Sequence, residues 1–342
     1  KRQANERVGD EFERAVMLNP NWPGALADYA FWHWFNVGTD GVAELLERAL
    51  KLDRLNVVRY AALGRFLALG DRPADARQVV DQMIALFDGP AAYLAIADVL
   101  SILGDVDHSI AWTIKARDAE PHNSLHAEKL AEYYTDIGDY ETAQALEPDL
   151  GVGLLFKMRR YDDMIEKAEE RYWDYPEDMQ LRIYLASAYN AIGRFDDALR
   201  MIVDSGVLDT FSIIRRDALE FDAQTAMLNA AFGSGEIEMA RELIQLSLGN
   251  HYIGDTADWW VSLGVGCMYA IADNDDEVYR RFARALEGKN LAWEPMLRDA
   301  ACFKRFANDP KFLEVIEHFD ELRARLRERL PDTLAQHGVR LN

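Results

Sequence analysis

One phrase returns along this chain about every 34 residues. It runs small or apolar residue, Gly, Asp or Arg, aromatic or apolar residue, acidic residue, Ala, and then a stop containing proline. Ile192-Gly193-Arg194-Phe195-Asp196-Asp197-Ala198 is one copy, Ile137-Gly138-Asp139-Tyr140-Glu141-Thr142-Ala143 is another, and Leu103-Gly104-Asp105 opens a third. A unit this short buries its apolar face only against its neighbours, so a fixed period calls for a stack of helical hairpins. Such a core grows by adding layers, which frees 342 residues from the usual division into two or three globular domains.

The units can be followed by eye. Val8 to Leu18 looks like the second helix of a hairpin and stops at Asn19-Pro20-Asn21. A full unit runs from Pro23 to Asn56, with Leu26, Tyr29, Ala30 and His33 on its first helix and Leu45, Leu46, Ala49 and Leu50 on its second. Further units begin at Val57, about Pro90 and Ser124; small residues such as Gly64, Ala76, Ala97 and Ala116 let paired helices approach closely. Pro148, Gly151 and Gly153 then oppose a helix interior. They predict a shortened helix, followed by a new hairpin of Val152–Met158 and Asp162–Trp173. Met179 opens the clearest unit, a longer connection follows from Asp204 to about Phe211, and weaker copies start near Phe221 and Asp258. Trp293 to Leu330 is helical but off period, as a polar terminal cap would be.

At this point the residues resemble the tetratricopeptide repeat family. The unit at Met179 supplies Leu185, Ala186, Tyr189, Gly193 and Ala198 at the family's offsets; the unit at Ser124 supplies Leu130, Ala131, Tyr134, Gly138 and Ala143. The unit before that supplies Ala97, Gly104, Ala116 and Pro121. The resemblance implies an all-α fold, a right-handed α-solenoid of about eight to nine helical hairpins with a C-terminal helical cap. The expected division is a lobe over residues 1–146, a second over 147–290 and capping helices over 291–342. A shorter likeness, from Met296-Leu297-Arg298-Asp299 through Asn308-Asp309-Pro310-Lys311-Phe312, resembles the tail of the repeat region in bacterial adenylate or guanylate cyclases and TolB-like or winged-helix regulators. The chain opens at Lys1 inside a helical pattern with no initiator Met, so it is expected to be cut from a longer protein.

Charge narrows the partners. With 59 acidic against 38 basic residues the net charge is −21, a field that repels phosphate backbones and anionic lipid and attracts basic peptides. Solubility alone is the simpler reason for it. No nucleic-acid partner is expected, and no membrane insertion, since no run of eighteen apolar residues occurs. The cytoplasm is the expected compartment, or the periplasm if a membrane segment precedes Lys1. Cys267 and Cys302 both sit in apolar helical stretches and are expected as buried free thiols.

No catalytic signature is present: no phosphate loop, His-Glu-x-x-His, Cys-x-x-Cys or Gly-x-Ser-x-Gly. His122 and His126 lack a third ligand nearby and are expected to be surface or capping residues. Asp273-Asn274-Asp275-Asp276-Glu277 lacks the glycine and distal Glu of a calcium loop and reads as a turn with an acidic helix start. No metal, no cofactor and no catalysis by this chain are expected, although an upstream enzymatic domain is compatible with the start at Lys1.

The resemblance implies that each first helix lines a concave groove. By repeat offset, Phe31 and Trp34 of the aromatic run 31–35 point into it, although burial in the core is the simpler reading of such a run; Arg65, Asp98, Glu128, Glu132, Asn190 and Asn229 follow, with Asp258 as a further candidate. Arg65 stands nearly alone among acidic neighbours, which disfavours the Lys-Asn-Arg clamp that family members use for chaperone C-termini. The asparagine ladder of O-linked N-acetylglucosamine transferase fails as well, because its positions hold Asp28, Ala62, Ala95, Lys129, Tyr184 and Ala226. The expectation is a non-catalytic scaffold that takes a peptide or protein partner, basic by charge, within a larger bacterial regulatory protein. A small-molecule sensor attached to a cyclase or transcription regulator is the alternative, and a homodimer is compatible with either.

Overall fold

A computed structural model describes residues 2–36, 41–70, 72–203, 218–248, 259–289, 291 and 294–341. Among these residues every regular element is helical, and the chain is an all-α stack of tetratricopeptide-like hairpins. A leading helix, α1 (Arg2–Leu18), precedes the hairpins. They pair α2 (Pro23–Asn36) with α3 (Val42–Leu52), α4 (Val57–Leu69) with α5 (Pro73–Leu86), α6 (Pro90–Ile102) with α7 (Val106–Ala119), and α8 (Ser124–Asp136) with α9 (Tyr140–Leu146). Then come α10 (Val152–Lys157) with α11 (Tyr161–Asp174), α12 (Met179–Ala191) with α13 (Phe195–Val203), α14 (Ala218–Ser234) with α15 (Ile237–Leu248), and α16 (Trp259–Ile271) with α17 (Asp275–Ala285). Short α18 (Glu294–Asp299), a 3-10 turn (Ala301–Phe306) and the long α19 (Pro310–His337) close the chain. No helix among the described residues is long and apolar enough to cross a membrane. The connection after Asp204 and the position of Asp258 lie outside the described residues.

Local chemistry sets these boundaries. Pro23, Pro73 and Pro90 stand at helix starts, where the missing N–H has no intrahelical acceptor to lose. Asn56, Asp139 and Asp178 cap α4, α9 and α12 by accepting from Arg59 N, Thr142 N and Leu181 N at 3.1, 3.2 and 3.1 Å. The repeated glycine has a specific task. Gly104, Gly138, Gly193 and Gly235 take φ between 76° and 87°, and the residue after each donates back to a carbonyl five positions earlier: Leu100, Tyr134, Tyr189 and Ala231. This is the left-handed Schellman ending, which turns the chain into the second helix at once. Arg159 and Asp273 occupy the same place, each with φ 57°, and Arg160 N and Asn274 N make the same bond to Leu155 and Tyr269. Asp273-Asn274 is therefore a hairpin turn whose Asn274 caps α17. A side chain costs about 1 kcal/mol in this conformation, somewhat less for Asp, so Asp273→Gly is expected to raise stability by about 0.5–1 kcal/mol in urea unfolding. A loss would show that Asp273 contributes more than a turn.

The stacking is tight where the sequence placed small residues. A Cβ on Gly64 would lie 2.9 and 3.0 Å from the Val99 methyls, so α4 and α6 touch through a missing side chain. Leu26, Ala30, Leu46, Ala49, Ala76, Ala97 and Ala116 are fully enclosed, and Leu185, Ala186 and Ala198 repeat the pattern further on.

The chain divides into two compact units: residues Lys1–Glu147 with Ala324–Asn342, and Pro148–Arg323. In the first, the C-terminal segment is fastened to α7. Asp107 is wholly buried and accepts two hydrogen bonds from Arg329, at 2.5 and 2.7 Å, and one from Thr333 at 2.6 Å. His108 Nδ1 and His337 Nε2 share a hydrogen bond of 3.0 Å, and Arg327 donates to the Ile137 carbonyl at the end of α8. The second unit gathers Phe282, Phe303, Phe306 and Phe312 around the 3-10 turn, with ring centroids 5.3–5.9 Å apart in four of the pairs. Here the sequence reading of the cysteines is corrected: Cys267 of α16 and Cys302 of the 3-10 turn form a disulfide, with Cα atoms 5.4 Å apart. Apolar surroundings suggested two separate thiols, but the turn after α18 carries Cys302 back onto α16.

Candidate partner-binding row and polar cavity

In the first unit several of the candidate positions on successive first helices meet residues of the next one. Phe31 and Trp34 of α2 both meet the ring of Phe66 on α4, edge-on at 5.6 and 4.9 Å. Arg65, beside Phe66, pairs with Asp98 of α6 at 3.1 Å. Asp98 and Glu132 both act on Tyr133 of α8, whose hydroxyl is pushed far up, first by burial and then by these carboxylates. Lys129 and Glu132 pair at 2.9 Å, and Glu128 is exposed. Phe31 keeps 38% of its surface in solvent and Trp34 is half-buried, so the aromatic start of the row is accessible. Lys129 is part of this surface although repeat offsets did not select it, whereas Phe66 is buried beneath it. Phe66 is one residue past Arg65 on the same helix, and its ring joins α2 to α4.

The row is acidic with both cations already engaged. Arg65 and Asp98 are each partly exposed, so the pair adds little stability and can be exchanged for a ligand's cation at small cost.

The second unit places its predicted residues differently. Asn190 and Asn229 are 4% and 5% exposed, so both amides are interior groups. Asn190 donates to the Ala226 carbonyl at 2.8 Å, which ties α12 to α14. Asn229 donates to Thr225 O at 2.9 Å and accepts from Cys302 N at 3.1 Å, which ties α14 to the 3-10 turn beside the disulfide. Both line a cavity of about 30 Å³ together with Phe156, Tyr161, Thr225 and Asp299. At its edge Arg159 grips Asp299 with two bonds of 2.6 and 2.7 Å, and Tyr161 donates to the same carboxylate. Burial, then this hydrogen bond, pushes the Tyr161 hydroxyl up and keeps it protonated. Nothing local in the sequence marks Thr225 or Asp299 as a neighbour of Asn190; Asp299 arrives from α18.

His126, expected near the surface, is fully buried, with Nε2 3.3 Å from the Glu120 carboxylate. His122 remains exposed. Among the described residues no group of three or more His, Cys, Asp or Glu side chains is arranged to hold a metal ion.

No family model matches the sequence, and no curated protein does either. Among solved structures, the yeast Tom70 crystal structure superposes with a TM-score of 0.49 at 15% identity, over 87% of this chain and 61% of that one. The human IFIT1 dimer with m7Gppp-AAAA does so at 0.39 and 17% identity, over 83% and 68% of the two chains. The TPR domain of P58(IPK) gives 0.25 and 11% identity, over 95% of each. The chain thus spans less than two thirds of the length of Tom70.

Proposed function

We propose that this chain is a non-catalytic binding module that takes a basic peptide segment along the row of its first unit. The observations that support the reading are the contacts of Phe31 and Trp34 on α2 with Phe66 on α4 and the pairing of Arg65 with Asp98 on α6, followed at the same face of the repeat by Glu128 and Glu132 on α8. Aromatic rings at one end offer anchoring area, and they are the residue types that dominate binding energy at interfaces. Carboxylates at the other end, within a chain of net charge −21, favour a cationic segment and quicken its approach. A role inside a larger regulatory protein fits the same surface. The small-molecule reading has one observation in its favour, the polar cavity of the second unit.

On this reading two residues of the row have opposite roles. Trp34→Ala is expected to weaken a lysine-rich peptide by about tenfold or more, because an aromatic anchor is lost. Arg65→Ala is expected to tighten it a few-fold, because Asp98 is released from its internal partner. Fluorescence anisotropy of the labelled peptide reads both, with thermal unfolding confirming that each variant is folded. Equal affinity in all three proteins sinks the assignment. Preference for a single-stranded RNA over the peptide replaces the partner class.

A further inference from the structure

Exposed apolar side chains recur along one edge of the first unit. Helices α1, α3 and α5 end on Leu18, Leu52 and Leu86, which stand 34 residues apart, and all three leucines are exposed. The same step lands on Glu120 in the next repeat, where the edge turns polar. At the junction of α3 with α4, Leu55 and Val58 keep 72% and 68% of their surface in solvent. Ile84, close to Leu86 in the last turn of α5, is exposed as well. Phe87, next to Leu86, meets the ring of Tyr60 at 5.5 Å, which holds the end of α5 against the start of α4. Leu52, Leu55, Val58, Ile84 and Leu86 together leave on the order of 500 Å² in solvent, a size at which apolar patches are often functional. Charge changes sign between these two neighbouring places. Residues 51–59 carry Lys51, Arg54 and Arg59 against Asp53 alone, whereas residues 81–90 carry Asp81 and Asp88 and no cation. Arg59 pairs with Asp53, which leaves Lys51 and Arg54 as the exposed cations of the junction.

We propose that this edge of the first unit binds a second copy of the chain across a two-fold axis. An axis passing between the α3–α4 junction and the end of α5 sets each basic junction against the acidic end of the other copy's α5, twice over. The apolar side chains then meet in the middle, and the two copies together cover on the order of 1,000 Å², enough for a specific but weak interface. The change of sign decides the occupant. A patch of one charge suits a ligand of the opposite charge, whereas a patch with both signs side by side is complementary to itself. An anionic lipid surface is attracted by Lys51 and Arg54 but repelled by Asp81, Asp88 and the net charge of −21. The same net charge makes two copies repel at long range, so association is expected near physiological ionic strength, where charges more than about 8 Å apart are screened. The inference does not rest on the peptide reading.

The test is sedimentation velocity of the whole chain in about 0.15 M salt, where long-range repulsion is screened. A dimer is expected to grow in between about 1 and 100 µM, the range that suits an interface of this size. Leu55→Asp with Val58→Asp is expected to weaken it at least about tenfold, because two carboxylates then enter its apolar middle. Charge reversal is the sharper arm. One variant carries Lys51→Glu and Arg54→Glu, and a second carries Asp81→Lys and Asp88→Lys. Each alone sets like charges face to face in both halves of the two-fold contact and is expected to stay monomeric. An equimolar mixture sets opposite charges together again and is expected to restore the dimer. All six positions are exposed, and thermal unfolding confirms that each variant is folded. A monomer throughout the concentration range overturns the proposal. So does a dimer indifferent to either charge reversal, or a mixture that fails to dimerise. Co-sedimentation of the monomer with phosphatidylserine vesicles, abolished by Leu55→Asp with Val58→Asp, gives the edge to lipid and overturns it too.

Discussion

Arg329→Leu is expected to release residues 324–342 from the first unit and to lower its stability by about 3 kcal/mol. The cause is the carboxylate left behind. Asp107 has no exposure, and Arg329 supplies two of its three hydrogen bonds. Arg329 itself is about half exposed, which puts the cost at the lower end for a broken buried pair. Asp107→Asn with Arg329→Leu should recover part of the loss, since no charge is then left buried. Urea unfolding and limited proteolysis near residue 324 read both outcomes; an unchanged midpoint in Arg329→Leu contradicts the account.

Acid should act on the same contact. Burial alone raises the Asp107 carboxyl, but the bonds from Arg329 and Thr333 outweigh it and hold it below the usual carboxylate range. That stabilisation is present above the unfolded carboxylate's range and is lost as pH falls through the folded value. His337 titrates earlier. Burial, then Lys115 and His108, pushes it down from 6.5 to about 4, so the folded state disfavours its proton. Its contribution is complete above 6.5 and declines as pH falls toward 4. Weakening of the C-terminal contact is therefore expected to begin below about pH 6.5.

Reduction of Cys267–Cys302 should be comparably costly to the second unit. The bond closes a separation of 35 residues, for which chain-entropy reasoning gives about 3–4 kcal/mol. It also fixes the 3-10 turn, whose Cys302 N is the donor to Asn229 Oδ1. Comparing urea unfolding with and without a reductant measures the loss. The paired Cys267→Val, Cys302→Val protein should unfold like the reduced one. Identical midpoints under oxidising and reducing conditions would show that the bond contributes nothing.

The sequence carried the hairpins because their signals are local. Gly104, Gly138 and Gly193 must turn left-handed, Pro23 and Pro90 start helices, and Ala186 or Ala198 must sit where helices touch. The shortened α9 and α10 were visible in Pro148, Gly151 and Gly153 for the same reason. What stayed hidden was set by distant residues. Asp107 meets Arg329 across 222 positions, and Arg159 meets Asp299 across 140. Nothing in either neighbourhood announces the other. The repeat offsets set Arg65 beside Asp98 on the next first helix, because stacked first helices present equivalent positions side by side. The same offsets could not show that Asn190 and Asn229 lie inside the second unit, since that depends on Ala226 O and Cys302 N reaching them.

The central claim is that the first-helix row of the first unit holds a basic segment. Hydrogen exchange of the intact chain, with and without a saturating lysine-rich peptide, tests it most directly. Binding should slow exchange in α2, α4, α6 and α8 and leave α3 and α5 unchanged, with an acidic peptide of equal length having no effect. Protection absent from those four helices, or equal protection by the acidic peptide, would contradict it.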